Sequence, residues 1–107
     1  MPSPPFSIQL VPVPVHATKF LSRLLGIFSP TARRRGSVVL YPCSSVHTFF
    51  LKAPLDIVFL DAERKVLEVY DSVAPFRVIS YSGSYYVVEG RAGSLSSKLE
   101  VGDVVDF

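Results

Sequence analysis

Cys43, His47 and Asp56 are the residues of this chain whose types could carry covalent chemistry. A thiolate is a strong nucleophile, an imidazole four positions on could take its proton, and a carboxylate could orient the ring. The spacing alone does not assemble such a set. Pro42 before the cysteine and Ser44-Ser45 after it suggest a turn, which can bring the two side chains together or point them apart. A small buried cysteine and a structural histidine satisfied by backbone groups is the simpler account.

The same block could instead bind. His47 and Asp56 could share a polar pocket with Glu89, and Cys43 and Lys52 lie close enough in sequence to join its rim. Alternation places Asp56 on the face of its strand that carries Val58 and Leu60, which should be dry. A dry carboxylate needs a partner, and Lys52 or His47 is the nearest in sequence. A structural ion pair explains Asp56 as well as a site does.

Other chemistry finds little support. A metal site needs three or four ligands, yet His16 is remote from His47 and the carboxylates are scattered, so no metal or other cofactor is expected. Arg33-Arg34-Arg35 could contact a phosphate or nucleic acid, but no interleaved aromatics or glycine-rich cradle accompany it. A solvated loop is the simpler reading. Walker-type, Gly-x-Ser-x-Gly and His-Glu-x-x-His motifs are absent from the sequence.

Composition sets the frame in which these residues must be held. At 107 residues, 49% hydrophobic and 19% charged, the chain suits one packed domain and not a disordered segment. Abundant Val, Phe and Tyr favour strands. One cysteine excludes an internal disulfide. The net charge of +2 is too small to argue for nucleic acid. All nine acids lie from Asp56 onward, whereas Lys19, Arg23, Arg33, Arg34, Arg35 and Lys52 precede it, a weak pointer to an anionic partner. The start lacks a secretory signal pattern and no run is long enough to span a membrane, so a soluble, cytoplasmic protein is expected.

Residues 1–5 read as a proline-rich leader and 6–107 as one domain. Phe6–Leu10 alternates as an edge strand, halted by Pro12 and Pro14. Ala17, Phe20, Leu21, Leu24, Leu25 and Phe28 fall at helical spacing and predict an amphipathic helix over residues 17–26. Strands are expected at Ser37–Tyr41, Thr48–Leu51, Leu55–Leu60, Val66–Tyr70, Phe76–Tyr81, Tyr85–Glu89 and Val104–Phe107. Ile57 and Phe59 share one face of their strand, Val58 and Leu60 the other, which predicts cover on both sides. Ser82-Gly83-Ser84 reads as a hairpin turn, and Leu95–Leu99 as one helical turn.

These elements carry a resemblance. Pro42-Cys43-Ser44-Ser45-Val46-His47-Thr48-Phe49-Phe50-Leu51-Lys52-Ala53-Pro54-Leu55-Asp56-Ile57-Val58-Phe59-Leu60-Asp61 is similar, in order, to the central block of the domain of unknown function 192 family, with Leu51 where Met is usual. Gly26-Ile27-Phe28, Val66-Leu67-Glu68-Val69, Ala74-Pro75, Val88-Glu89, Ala92-Gly93 and Gly102-Asp103-Val104 extend the likeness. Arg64 stands where a turn glycine is common, Gly90-Arg91 replaces an apolar-proline pair, and the connection from Gly93 to Gly102 is one residue short. The resemblance implies a small β-rich domain with a peripheral helix and brings no established activity.

The sequence therefore predicts an α+β, mostly β domain. Its sheet would be mixed or antiparallel, open or closed as a barrel, with one N-terminal amphipathic helix beside it. The leading expectation for function is a non-enzymatic module that holds a small molecule, peptide or protein, as a monomer or weak homodimer. A hydrolase or transferase using Cys43 and His47 is the alternative, and an anion or nucleic-acid contact through Arg33–Arg35 the third. Arg64 is expected in or beside a tight turn between the Leu55–Leu60 and Val66–Tyr70 strands; if it keeps the left-handed conformation of the glycine it replaces, Arg64→Gly should stabilise the protein.

Overall fold

The computed structural model describes residues 7–11, 13–17, 36–49 and 53–107. Among them lie nine strands: β1 (Ile8–Gln9), β2 (Val15–Ala17), β3 (Ser37–Leu40), β4 (Ser45–His47), β5 (Leu55–Leu60), β6 (Val66–Val73), β7 (Val78–Ser80), β8 (Tyr86–Arg91) and β9 (Val105–Asp106). Five form a mixed sheet in the order β2-β3-β8-β5-β6, parallel only between β2 and β3. Two small sheets flank it, β4 antiparallel to β7 and β1 parallel to β9.

β5 is the axis of the fold. All six of its residues are buried, because it pairs with β8 on one edge and β6 on the other while both faces are covered. Ile57 and Phe59 enter one apolar cluster with Val38, Val87, Cys43 and Val46. Val58 and Leu60 enter the second, with Val39, Val88, Leu95 and Leu99. The two-sided apolar pattern of this segment fitted a central strand or a barrel wall; the structure makes it the central strand, and its expected bounds match β5 at both ends.

Two expectations fail. Ala17, where the amphipathic helix should begin, closes β2 and pairs with Leu40, and no helix occurs among the described residues. Residues 18–26 lie outside those described. The physical reason lies upstream: Pro12 and Pro14 bias the residues before them to extended backbone, and Val15 is β-branched, so the chain reaches Ala17 already extended. Helical spacing of apolar residues carries no information about that entry geometry. Nor is there a barrel, because β2 and β6 end the five-stranded sheet without meeting.

Smaller corrections follow the same logic. The strand expected at Thr48–Leu51 is instead β4, three residues earlier, and residues 50–52 lie outside those described. Gly83 makes the expected turn at a φ of 89°, but the strands on either side part company: β7 joins β4, and β8 joins the large sheet. Residues 93–99 form a compact turn with backbone bonds from Ser97 to Gly93 and from Leu99 to Leu95.

Arg64 holds a φ of 64°, as its place in the turn between β5 and β6 predicts. Its side chain is not idle. The guanidinium donates to the Phe107 carbonyl at 3.0 Å, sits 3.5 Å from Asp106 Oδ1 and lies 4.4 Å over the Phe107 ring. Glycine would relieve backbone strain but abandon these contacts to β9. Arg64→Ala, which keeps the strain and loses the contacts, is expected to unfold more easily than Arg64→Gly by about 1 kcal/mol. Wild type should lie close to the glycine variant; urea denaturation of the three proteins measures the order.

Candidate functional site

Asp56 shows how the central block is held together. Leu55 pairs with Val73 and Ile57 with Tyr70, so β6 carries one extra residue opposite Asp56, a β-bulge. The bulge holds Ser72 at a φ of 52° and aims its amide at Asp56 Oδ1, 2.9 Å away. Oδ2 accepts from the amides of Leu95 and Ser96 at 3.0 and 2.8 Å. One carboxylate thus fastens both the bulge and the 93–99 turn to the middle strand. Gly90, its partner on β8, permits the fit: a Cβ there would come within 2.8 Å of Ser94 Oγ and 3.1 Å of Leu95.

Complete burial works against the Asp56 anion, but the Ser96, Ser72 and Gly93 amides and the Ser96 hydroxyl outweigh it and hold its pKa below the ordinary value. Asp56 is therefore a structural anion. Its partners are amides 16, 39 and 40 positions away and not an imidazole.

Cys43 and His47 do not form a pair. The thiol points inward with Val46 into the first apolar cluster and donates to the Ser45 carbonyl at 3.3 Å. His47 is exposed on the outer face of β4, its ring 5.2 Å from that of Phe49. A shallow, open pocket of about 330 Å³ lies over Cys43, between Pro42, Ser44, Ser45 and Ser84. The Ser84 hydroxyl is committed to neighbouring carbonyls, 3.0 Å from those of Cys43 and Tyr86.

Glu89 lies on the other side of the sheet from Asp56. On β8 it is opposite Val38 and Ile57, both members of the first cluster. It is 8% exposed, and burial pushes its carboxyl up to about 7. Lys52 and the Arg33–Arg35 run lie outside the described residues. No group of three or more potential metal ligands occurs among the described residues.

What the sequence reading overlooked is the outer face of the β4–β7 sheet. Its antiparallel register places Ser45 opposite Ser80 and His47 opposite Val78. The next row is Phe49 and Phe76, with ring centroids 6.3 Å apart. Val78 is 63% exposed, Phe76 72% and Phe49 39%. Beneath them Thr48 is buried and acts as a rivet: its hydroxyl donates to the Ala74 carbonyl at 2.7 Å and accepts from the Arg77 amide at 2.9 Å. Phe76 is held at a φ of 65°, a rare conformation for a bulky residue. The alternation of Phe76, Val78 and Ser80 was the available signal, but Ile79 and Tyr81 are apolar too, so the sequence did not say which parity faces outward.

Architecture and site define a small, open-sheet β protein with a riveted, solvent-facing aromatic patch. The model of the domain of unknown function 192 family, described as an uncharacterised group, matches residues 9–107, and the chain belongs to that family. A UPF0127 protein of Pyrococcus horikoshii is 31% identical over 98 residues, 85% of this chain and 84% of that protein. One from Pyrococcus abyssi is 35% identical over 66 residues; the match spans 60% of this chain and only 56% of that relative. A crystal structure of a protein of unknown function from Novosphingobium aromaticivorans shares the fold, with a TM-score of 0.71 at 19% identity over 86% of this chain and 72% of that one. No helix among the described residues is long and apolar enough to cross a membrane.

Proposed function

We propose that this protein is a non-enzymatic binding module whose contact surface is the outer face of the β4–β7 sheet. The observation that carries the reading is Phe76. A phenylalanine that is 72% exposed gains little from the fold, and its left-handed backbone costs of order 1 kcal/mol. Phe49 and Val78 beside it join the patch, and the Thr48 hydrogen bonds hold its two strands in register. Three adjoining exposed apolar side chains, unlike ones exposed singly, favour an interaction surface.

The orientation of Cys43 and His47 supports binding over covalent catalysis. The nucleophile is inside and the base is outside, with the β4 backbone between them. Asp56, whose lone pairs are taken by amides, is not available to orient a base.

Asparagine suits the left-handed region better than phenylalanine does. Phe76→Asn is therefore expected to leave the unfolding midpoint unchanged or raise it by the equivalent of up to about 1 kcal/mol. Native mass spectrometry of tagged protein purified from its own host should show a retained ligand or partner that the folded Phe76→Asn variant lacks. Equal retention by both proteins would remove this face from the reading.

A further inference from the structure

We infer that Glu89 is a binding site for a primary ammonium group carried on a slender aliphatic chain. The site is separate from the outer β4–β7 face and does not depend on it.

The two buried carboxyls of this fold are placed in opposite ways. Asp56 accepts from three backbone amides. Glu89 is more than nine-tenths buried, yet among the described residues no group donates to its carboxyl and no cation pairs with it. The strand register accounts for this isolation. Val38 stands opposite on β3 and Ile57 on β5, with Tyr70 beyond Ile57 on β6. The neighbouring row of the same face is Leu40, Val87 and Phe59. Arg91 lies two residues along β8 on the same parity and makes no ion pair with Glu89. Tyr70 and the Cys43 thiol are the other titratable groups packed with this cluster, and neither carries a positive charge.

A buried polar group without a partner costs the fold, and glutamine would fill the same space without that ion. What the carboxyl adds over the amide is a negative charge and a second acceptor oxygen, the equipment for holding a cation. The carboxyl is also reachable. Among the described residues no fully buried side-chain oxygen lacks a hydrogen bond, so the unpartnered Glu89 oxygens retain contact with the surface. That contact is narrow, since the whole residue is 8% exposed.

The narrow opening and its surroundings select the guest. A planar guanidinium or a quaternary ammonium head is broad, whereas a primary ammonium is no wider than the unbranched chain that carries it. A metal site needs three or four ligands, and no such group occurs among the described residues. The apolar flanks formed with Val38 and Ile57 suit the hydrocarbon chain. The carboxylate suits the head, through charge-assisted hydrogen bonds that are stronger there than in water.

The probe is n-butylammonium chloride at about pH 8, where Glu89 has lost its proton and the amine is still charged. It should raise the wild-type unfolding midpoint and shift the methyl resonances of Val38 and Ile57, saturating with a Kd on the order of millimolar. Neither n-butanol nor tetramethylammonium chloride at equal concentration should do so. Glu89→Gln should weaken binding about tenfold or more, as loss of a charge-assisted hydrogen bond implies. Glu89→Asp, which stays anionic but withdraws the carboxyl by one methylene, should weaken it several-fold. The methyl shifts report binding in each folded variant whatever its stability. Nα-acetyl-lysine methylamide separates the two sources of the group. Tighter binding than butylammonium assigns the site to a lysine side chain of a protein partner, and weaker binding assigns it to a free alkylamine.

The inference is overturned if butylammonium leaves the Val38 and Ile57 resonances unmoved, if n-butanol reproduces the response, or if binding survives undiminished in Glu89→Gln. Glu89 would then be occupied by a proton and water only, and the reading of the β4–β7 face would stand or fall separately on Phe76.

Discussion

Asp56→Asn is expected to lower the unfolding free energy by about 3 kcal/mol, and Asp56→Ala by more. The carboxylate accepts from three amides on two separate segments, and hydrogen bonds to a charged group contribute roughly 1.5–3 kcal/mol each. Asparagine keeps one acceptor oxygen but turns an NH2 donor toward amides that are donors themselves. Whichever way the amide is flipped, either Ser72 or the Leu95–Ser96 pair loses its acceptor. Urea titration at neutral pH measures the cost, and hydrogen exchange should find faster opening of residues 93–99. A loss below ~1 kcal/mol would mean that the bulge and the turn hold without the anion.

The same residue sets the acid limb of stability. The native pKa of Asp56 lies below its ordinary value of 3.8, so the folded state holds fewer protons there than the unfolded chain does. That stability is complete above about pH 4 and drains away as pH falls through the depressed native value. The Asn variant, already destabilised, should lack this part of the acid dependence.

Glu89 should produce the opposite slope at higher pH. Its carboxyl rises from 4.5 in the unfolded chain to about 7 in the fold, because burial between Val38 and Ile57 penalises the anion. The folded state keeps a proton that the unfolded chain has released, so stability is full below pH 4.5 and declines until pH passes 7. A displacement of that size corresponds to a loss on the order of 3 kcal/mol. Glu89→Gln cannot ionise. It should match the wild type at pH 4.5 and be the more stable protein at pH 8, by up to that amount. Denaturation at pH 4.5, 6 and 8 is the measurement; parallel profiles for the two proteins would show that Glu89 ionises freely. A stabilised glutamine variant would show that at neutral pH the carboxyl is held at a cost to the fold.

What the chain reveals in one dimension concerns neighbours in sequence. Apolar residues on both faces of Leu55–Leu60 predicted a central, doubly covered strand or a barrel wall, and the structure has the central strand with the same bounds. A residue standing where a turn glycine is common pointed to a tight turn, and Arg64 sits in one with a left-handed backbone. The order of residues from Pro42 to Asp61 pointed to the family that the wider comparison shows. In each case the determining force acts within a few residues, through steric limits on φ and ψ or through which faces of one strand are greasy.

The helical spacing after Ala17 was also local, and there it misled. Periodicity reports which residues could share a face, while the extended entry through Pro12, Pro14 and Val15 and the pairing of Ala17 with Leu40 decide what forms at the start of that segment. The site depended still more on distance. Nearness in sequence offers His47 and Lys52 as partners of Asp56, yet its oxygens accept from the amides of Ser72, Leu95 and Ser96. The pairing of β4 with β7 turns Val46 inward and His47 outward, whereas Cys43 precedes β4, tied by its amide to the Tyr85 carbonyl, and places its thiol in the core outside that alternation. Desolvation of Glu89 comes from strands β3 and β5 closing beside it, and exposure of Phe76 from a turn tied to Thr48, 28 positions earlier in the numbering. Burial and hydrogen-bond partnership belong to pairs of segments brought together by the whole fold, so only the tertiary structure could assign which polar groups hold this protein together and which surface it leaves open.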